Sequence, residues 1–160
     1  VNGKWPALAL VAAGLAAGAG VWYMQVWGFY ETLPQDRVAP QITATLADGT
    51  LRVLPVASAE GIDANSSPVR WRACFTLSQP APVADMVPFA APTPLNGPSW
   101  FDCYDSGAVT AALASGEAKA YLGAAEVRPD VDRVLAIWPD GHGVAWHQFN
   151  EKTPERGVMD

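Results

Sequence analysis

Hydrophobic positions divide the chain into two unlike parts. From Trp5 through Tyr30 no side chain is charged, and Gln25 is the only strongly polar one. As a helix, these 26 residues would extend about 39 Å, against a membrane hydrocarbon core of roughly 30 Å. The stretch is predicted to cross with some tilt. Trp5 marks its start, and Trp22, Tyr23, Trp27, Phe29 and Tyr30 crowd its far end, where amphipathic aromatics meet a membrane interface. Pro6 falls in the first turn, where its missing N–H costs nothing. The competing reading is a cleavable signal peptide processed at Ala17-Gly18-Ala19, but the apolar run continues some ten residues past that point.

Small residues recur along this helix. Gly14 and Gly18 form a GxxxG pair, and Ala9, Ala13 and Ala17 repeat the same four-residue spacing beside it. Such a ridge lets a second helix approach closely, so it is the expected packing face for other membrane subunits.

After the helix the pattern changes to short runs of period two. Leu33 to Pro40 reads as a linker between two proline breakers. Gln41–Leu46 and Leu51–Val56 flank Asp48-Gly49, a strong hairpin signal. Ala59–Pro68 is polar and reads as turn. Val69–Thr76 alternates, with Val69, Trp71, Ala73 and Phe75 on one face and Arg70, Arg72, Cys74 and Thr76 on the other. Residues 78–99 hold six prolines, a density that predicts a long loop. Ser106 is the expected N-cap of a short helix over Gly107–Ala114, with Gly116 as its stop. Ala118–Leu122 reads as a strand. Asp132–Trp138 and Val144–Phe149 flank a second turn at Asp140-Gly141. The predicted architecture is α+β: one N-terminal transmembrane helix (1–32), a linker (33–40), a mostly antiparallel β domain with one short helix (41–150), and a polar tail (151–160).

Charge narrows the partners. The net charge is −6, and Lys4 is the only basic side chain before Arg37, so the part beyond the helix carries 9 basic against 16 acidic residues. Such a surface repels nucleic acid. Lys4 ahead of the helix, with Glu31 and Asp36 behind it, favours a cytoplasmic N-terminus and a domain on the far side.

The chain has two cysteines, Cys74 and Cys103, on either side of the proline-rich segment. In an extracytoplasmic setting they are expected to form a disulfide. That bond would draw Arg70 and Arg72 towards Asp102 and Asp105, predicting an ion cluster beside it. Trp100-Phe101 is the expected exposed aromatic anchor, completing a candidate partner surface. The histidines are His142 and His147, too few for a zinc site without further ligands, and a structural role is expected for both. No G-x-S-x-G, G-x-G-x-x-G or G-x-x-x-x-G-K-[ST] occurs, so no catalytic residue, metal or cofactor is assigned.

The runs Ser66-Ser67-Pro68-Val69-Arg70-Trp71-Arg72-Ala73-Cys74-Phe75, Trp100-Phe101-Asp102-Cys103-Tyr104-Asp105, Trp138-Pro139-Asp140-Gly141 and Ala145-Trp146-His147-Gln148 carry a resemblance. They resemble an uncharacterised family of small single-pass envelope proteins from Rhodobacter-like alphaproteobacteria. The resemblance implies a bacterial inner membrane and a periplasmic domain, and it supplies no activity. The leading expectation is a non-enzymatic accessory or assembly subunit of a respiratory or photosynthetic inner-membrane complex, in contact with other subunits and the lipid bilayer. The alternative is a stand-alone membrane-tethered domain that binds or senses a ligand.

Overall fold

The computed structural model describes residues 2–152. The chain separates into two compact units, divided between Tyr30 and Glu31. The predicted tail over 151–160 lies, beyond Lys152, outside the described residues.

The first unit is a helix. α1 (Lys4–Tyr23) continues as one wider turn over Met24–Gly28, closed by Phe29 N–H donating to the Met24 carbonyl at 2.9 Å. Together they make 25 residues, long and apolar enough to cross a membrane, with no residue of the span buried against protein. Gly28 lets the Met24 side chain fold back on this turn: a Cβ there would stand 2.7 Å from Met24 Sδ and push that flexible chain aside.

The second unit is built on antiparallel strands: β1 (Tyr30–Leu33), β4 (Val56–Ala64), β5 (Arg72–Leu77), β6 (Lys119–Arg128), β7 (Val131–Ile137) and β8 (His142–Phe149). They form one sheet in the order β1-β4-β5-β8-β7-β6. β2 (Thr43–Thr45) and β3 (Leu51–Val53) form a separate hairpin. Both Asp-Gly turns are where the sequence puts them, with Gly49 at φ 83° and Gly141 at φ 90°, a region open to glycine. Asp48 fixes the first turn by accepting from the N–H and hydroxyl of Thr50. With its short helix α3 (Ser106–Ser115), the domain is α+β.

The alternation along Val69–Phe75 is reproduced. Trp71, Ala73 and Phe75 are buried on one sheet face, together with Leu135, Ile137 and Ala145 from β7 and β8. Ile42, Ala44 and Leu54 of the hairpin region complete this core.

Two expectations are corrected here. The stretch read as a linker is folded: Leu33 is in β1, and α2 (Gln35–Val38) buries Val38 completely. The stretch read as turn from Ala59 is largely strand β4, paired to β5 from Val56↔Leu77 to Ile62↔Arg72. Pro34 and Pro40 mark the start of α2 and the turn after it rather than a linker, and β4 was hidden for another reason. The buried β4 positions are small (Ala59, Gly61, Ala64, beside Ile62), so hydrophobic alternation is weak. Gly61 is small because α2 lies on it: a Cβ there would stand 2.9 Å from Val38 Cγ2.

The proline-rich segment forms no regular element but does form ladders. Val87 N–H donates to Thr45 O and Ala47 N–H to Asp85 O on one side; Phe89 N–H donates to Ala120 O and Leu122 N–H to Val87 O on the other. Residues 85–89 thus bridge β2 to the edge of β6, with Pro88 opposite Tyr121 where no donor is asked of it. The cap of α3 falls one residue earlier than predicted. Asp105 Oδ1 accepts from Gly107 N–H at 2.8 Å and Ala108 N–H at 3.0 Å, and Gly116 closes the helix at φ 79°.

Candidate functional site

Polar side chains converge in three places. The first is sealed. Arg133 and His147 are cross-strand partners on β7 and β8, and both are buried. Arg133 Nε donates to His147 Nε2 at 3.1 Å, its Nη1 to Gln41 O at 2.7 Å, and its Nη2 to Gln41 Oε1 at 3.1 Å. The His147 ring stacks on Trp71 at 4.7 Å, and the guanidinium lies 4.3 Å from the Trp71 ring. With Nε2 accepting, Nδ1 carries the proton and faces Pro68 O at 3.3 Å. Burial, then the Arg133 charge, holds His147 down to about 3, so the ring is neutral. Burial also lowers Arg133, to about 10, with Asp63 opposing the shift. Every ring and guanidinium nitrogen here faces protein, so the arrangement is a packing device.

The second place corrects a prediction. Arg72, expected at the surface, is 3% exposed. Its Nε donates to Leu95 O, its Nη1 to the carbonyls of Val69 and Trp71, and its Nη2 to Asn96 O, all between 2.6 and 3.1 Å. Tyr104 lies against it, with the guanidinium 5.6 Å from the ring, and its hydroxyl donates to Leu95 O. Burial pushes the Tyr104 phenol up to about 12, although Arg72 pulls the other way. Arg72 therefore pins the proline-rich segment to β5. Asp105, meant to pair with it, caps α3 instead. Arg72 therefore cannot belong to the partner surface in the predicted manner, whereas Asp105 is exposed; Phe101 is 7% exposed and shows only part of its ring to the hollow beside Trp100. Arg70 is half-buried.

The third place is open. Cys74 and Cys103 are bonded, with Cα atoms 6.2 Å apart, and the bridge stands over the sheet face opposite the Trp71 core. On one side of it lies a hollow of about 380 Å³ whose floor follows the strand register. Ser58, Thr76 and His142 form one cross-strand row, and Glu60, Cys74 and Val144 the next. His142 is held in place by stacking on Trp138 at 4.4 Å and by Nδ1 against the Asp140 carboxylate. The His142 backbone N–H, foremost, keeps the Asp140 carboxyl below its usual range. On the other side lies a hollow of about 520 Å³, lined by Thr32, Pro34, Glu60, Trp100 and Asp102. Glu60 and Cys103 stand between the two hollows and line both.

Of the predicted surface residues, these hollows take Trp100, Phe101, Asp102 and the disulfide. Sequence reasoning missed Glu60, Ser58 and the Asp140–His142 pair, because β4 was not recognised and the second turn was read only as a turn. The predicted helix ridge is all on α1, exposed, with open space beside Gly14 and Gly18. Among the described residues, no three His, Cys, Asp or Glu side chains gather as a metal site.

Residues 41–156, well over half the chain, match a family model described as a family of unknown function (DUF6446). No curated protein and no solved structure matches.

Proposed function

The chain belongs to the DUF6446 family, and from that premise we propose that it is a non-enzymatic accessory or assembly subunit of a bacterial inner-membrane complex, respiratory or photosynthetic. The observation that carries this reading is the exposed small-residue ridge of α1, where Gly14 and Gly18 leave room for a partner backbone. The helix docks among partner helices in the bilayer while the domain covers a partner surface. The domain faces the periplasm and the N-terminus the cytoplasm. Lys4 precedes the helix and acidic residues follow it, and the Cys74–Cys103 bond suits an oxidising compartment. The family's home in alphaproteobacterial envelopes is part of the same proposal.

The test is native extraction in mild detergent followed by mass spectrometry of the co-purifying proteins. Defined membrane subunits should accompany the wild type and be lost from a Gly14→Leu/Gly18→Leu variant. A wild type that elutes as a lone monomer overturns the reading. The hollows beside the disulfide favour a second reading, a ligand-binding or sensing domain for which the helix is only a tether. In that case the same double substitution leaves function intact.

A further inference from the structure

We propose that the Cys74–Cys103 bond is a redox clasp: a protein dithiol on the same side of the membrane reduces it in the folded domain, and residues 97–105 then lift from the sheet while the strands stay paired. The clasp works whatever the helix contacts, so it goes beyond the accessory-subunit reading.

Access comes first. Cys103 is exposed and Cys74 is half-buried. Both line the hollow of about 380 Å³, and Cys103 also lines the hollow on its other side. A thiolate can therefore approach the bond from solvent, with no strand displaced. The second observation is how the proline-rich segment is fastened. Residues 85–89 join backbone ladders on both sides. Residues 90–105 do not: among the described residues their backbone-to-backbone bonds stay local, as from Phe101 N–H to Pro98 O and from Tyr104 N–H to Phe101 O. Side chains of the sheet hold the first half of this stretch. Gln148 Nε2 donates to Ala91 O at 3.1 Å and its Oε1 accepts from Thr93 N–H at 2.8 Å, while Arg72 donates to Leu95 O and Asn96 O. Beyond Asn96 the bond at Cys103 is the covalent fastening.

Residues 97–105 carry the buried Phe101 and Tyr104, and Tyr104 lies over the Arg72 guanidinium. With the bond broken, only non-covalent packing holds them down, and they open as a loop between Asn96 and α3. The pairing of β4 with β5, β5 with β8 and β7 with β8 does not pass through the bond, so the sheet outlasts it. The exchange balances between the two partners. One thiolate of the dithiol attacks Cys103 Sγ, the bond to Cys74 breaks, and Cys74 leaves as a thiolate. The second thiolate of the dithiol then attacks its own partner sulfur in the mixed disulfide, and Cys103 leaves. The chain has gained two electrons and two protons as two thiols, and the dithiol, having lost them, is a disulfide.

The experiment uses the full chain in lipid nanodiscs with dithiothreitol as the dithiol. Timed alkylation counts free thiols, and hydrogen exchange read by mass spectrometry follows the backbone. The reduction rate should rise in proportion to dithiothreitol, because the folded state itself is attacked. A rate that levels off, limited by unfolding, overturns the proposal. After reduction, amides within 97–105 should exchange at least tenfold faster while those of β5, β7 and β8 keep their protection. Re-oxidation should restore the slow exchange. Unchanged exchange in 97–105, or protection lost across the whole sheet, also overturns the proposal, the latter by making the bond a staple of the fold rather than a clasp. Cys74→Ser/Cys103→Ser should show the fast exchange without reductant and no response to dithiothreitol. A response in that variant places the effect elsewhere and counts against the clasp; if the variant does not fold, the wild-type measurements decide alone.

Discussion

Mild acid should unfold this domain through His147. The folded chain holds its pKa down to about 3, by burial and then by the Arg133 charge, whereas an unfolded histidine titrates near 6.5. Between those values the unfolded chain binds one proton more than the folded one. The stability linked to His147 is therefore complete above about pH 6.5 and is lost as pH falls towards 3. The slope is about 1.4 kcal/mol per pH unit. Integrated from pH 7.5, the loss is about 2 kcal/mol at pH 5 and would reach roughly 4–5 kcal/mol at pH 3. His147 is 4% exposed, so solvent does little to discount it. The carboxylates whose pKa is lowered, Asp48, Asp140 and Glu126, act only at lower pH, and comparison with a His147 variant isolates this residue's share of the window between 7.5 and 5. Urea unfolding of the full chain in micelles, followed by tryptophan fluorescence, measures the change. His147→Gln keeps an acceptor for Arg133 Nε and a donor for Pro68 O but cannot titrate. It should start less stable, through loss of the Trp71 stack, and show a flat profile. Equal pH slopes for wild type and variant would refute the proton linkage.

Two further outcomes follow from the same packing. Arg72→Met should destabilise by about 3 kcal/mol or more, because it leaves the carbonyls of Val69, Leu95 and Asn96 without their charged donor; limited proteolysis should then cut first within 90–100. Removing the disulfide with Cys74→Ala/Cys103→Ala should cost about 3–4 kcal/mol on the chain-entropy account of its 29-residue separation, read as a lowered urea midpoint; an unchanged midpoint counts against it.

The features legible in the sequence are those whose cause is local. Asp48-Gly49 and Asp140-Gly141 make turns because of their own backbone freedom, and the alternation from Val69 to Phe75 needs only one buried face. The N-terminal helix declares itself by length. What escaped is what depends on distant chain. β4 is inconspicuous because its inward residues are small, and they are small because Val38 of α2 presses on Gly61. Arg72 looks like a surface charge until Leu95 and Asn96, more than twenty residues away, fold over it and accept its hydrogen bonds. Half of the candidate site was therefore visible as the Cys103 neighbourhood, and half was hidden with β4.

The bridge formed by residues 85–89 has a consequence for how copies of the chain meet. Without it β6 would end the sheet as an open edge, a template for strands of neighbouring copies. Val87 and Phe89 occupy that edge instead and pass it on to β2, beyond which only the three-residue β3 remains as an outer strand, too short to be much of a template. The proline-rich segment thus acts as a guard against edge-to-edge aggregation.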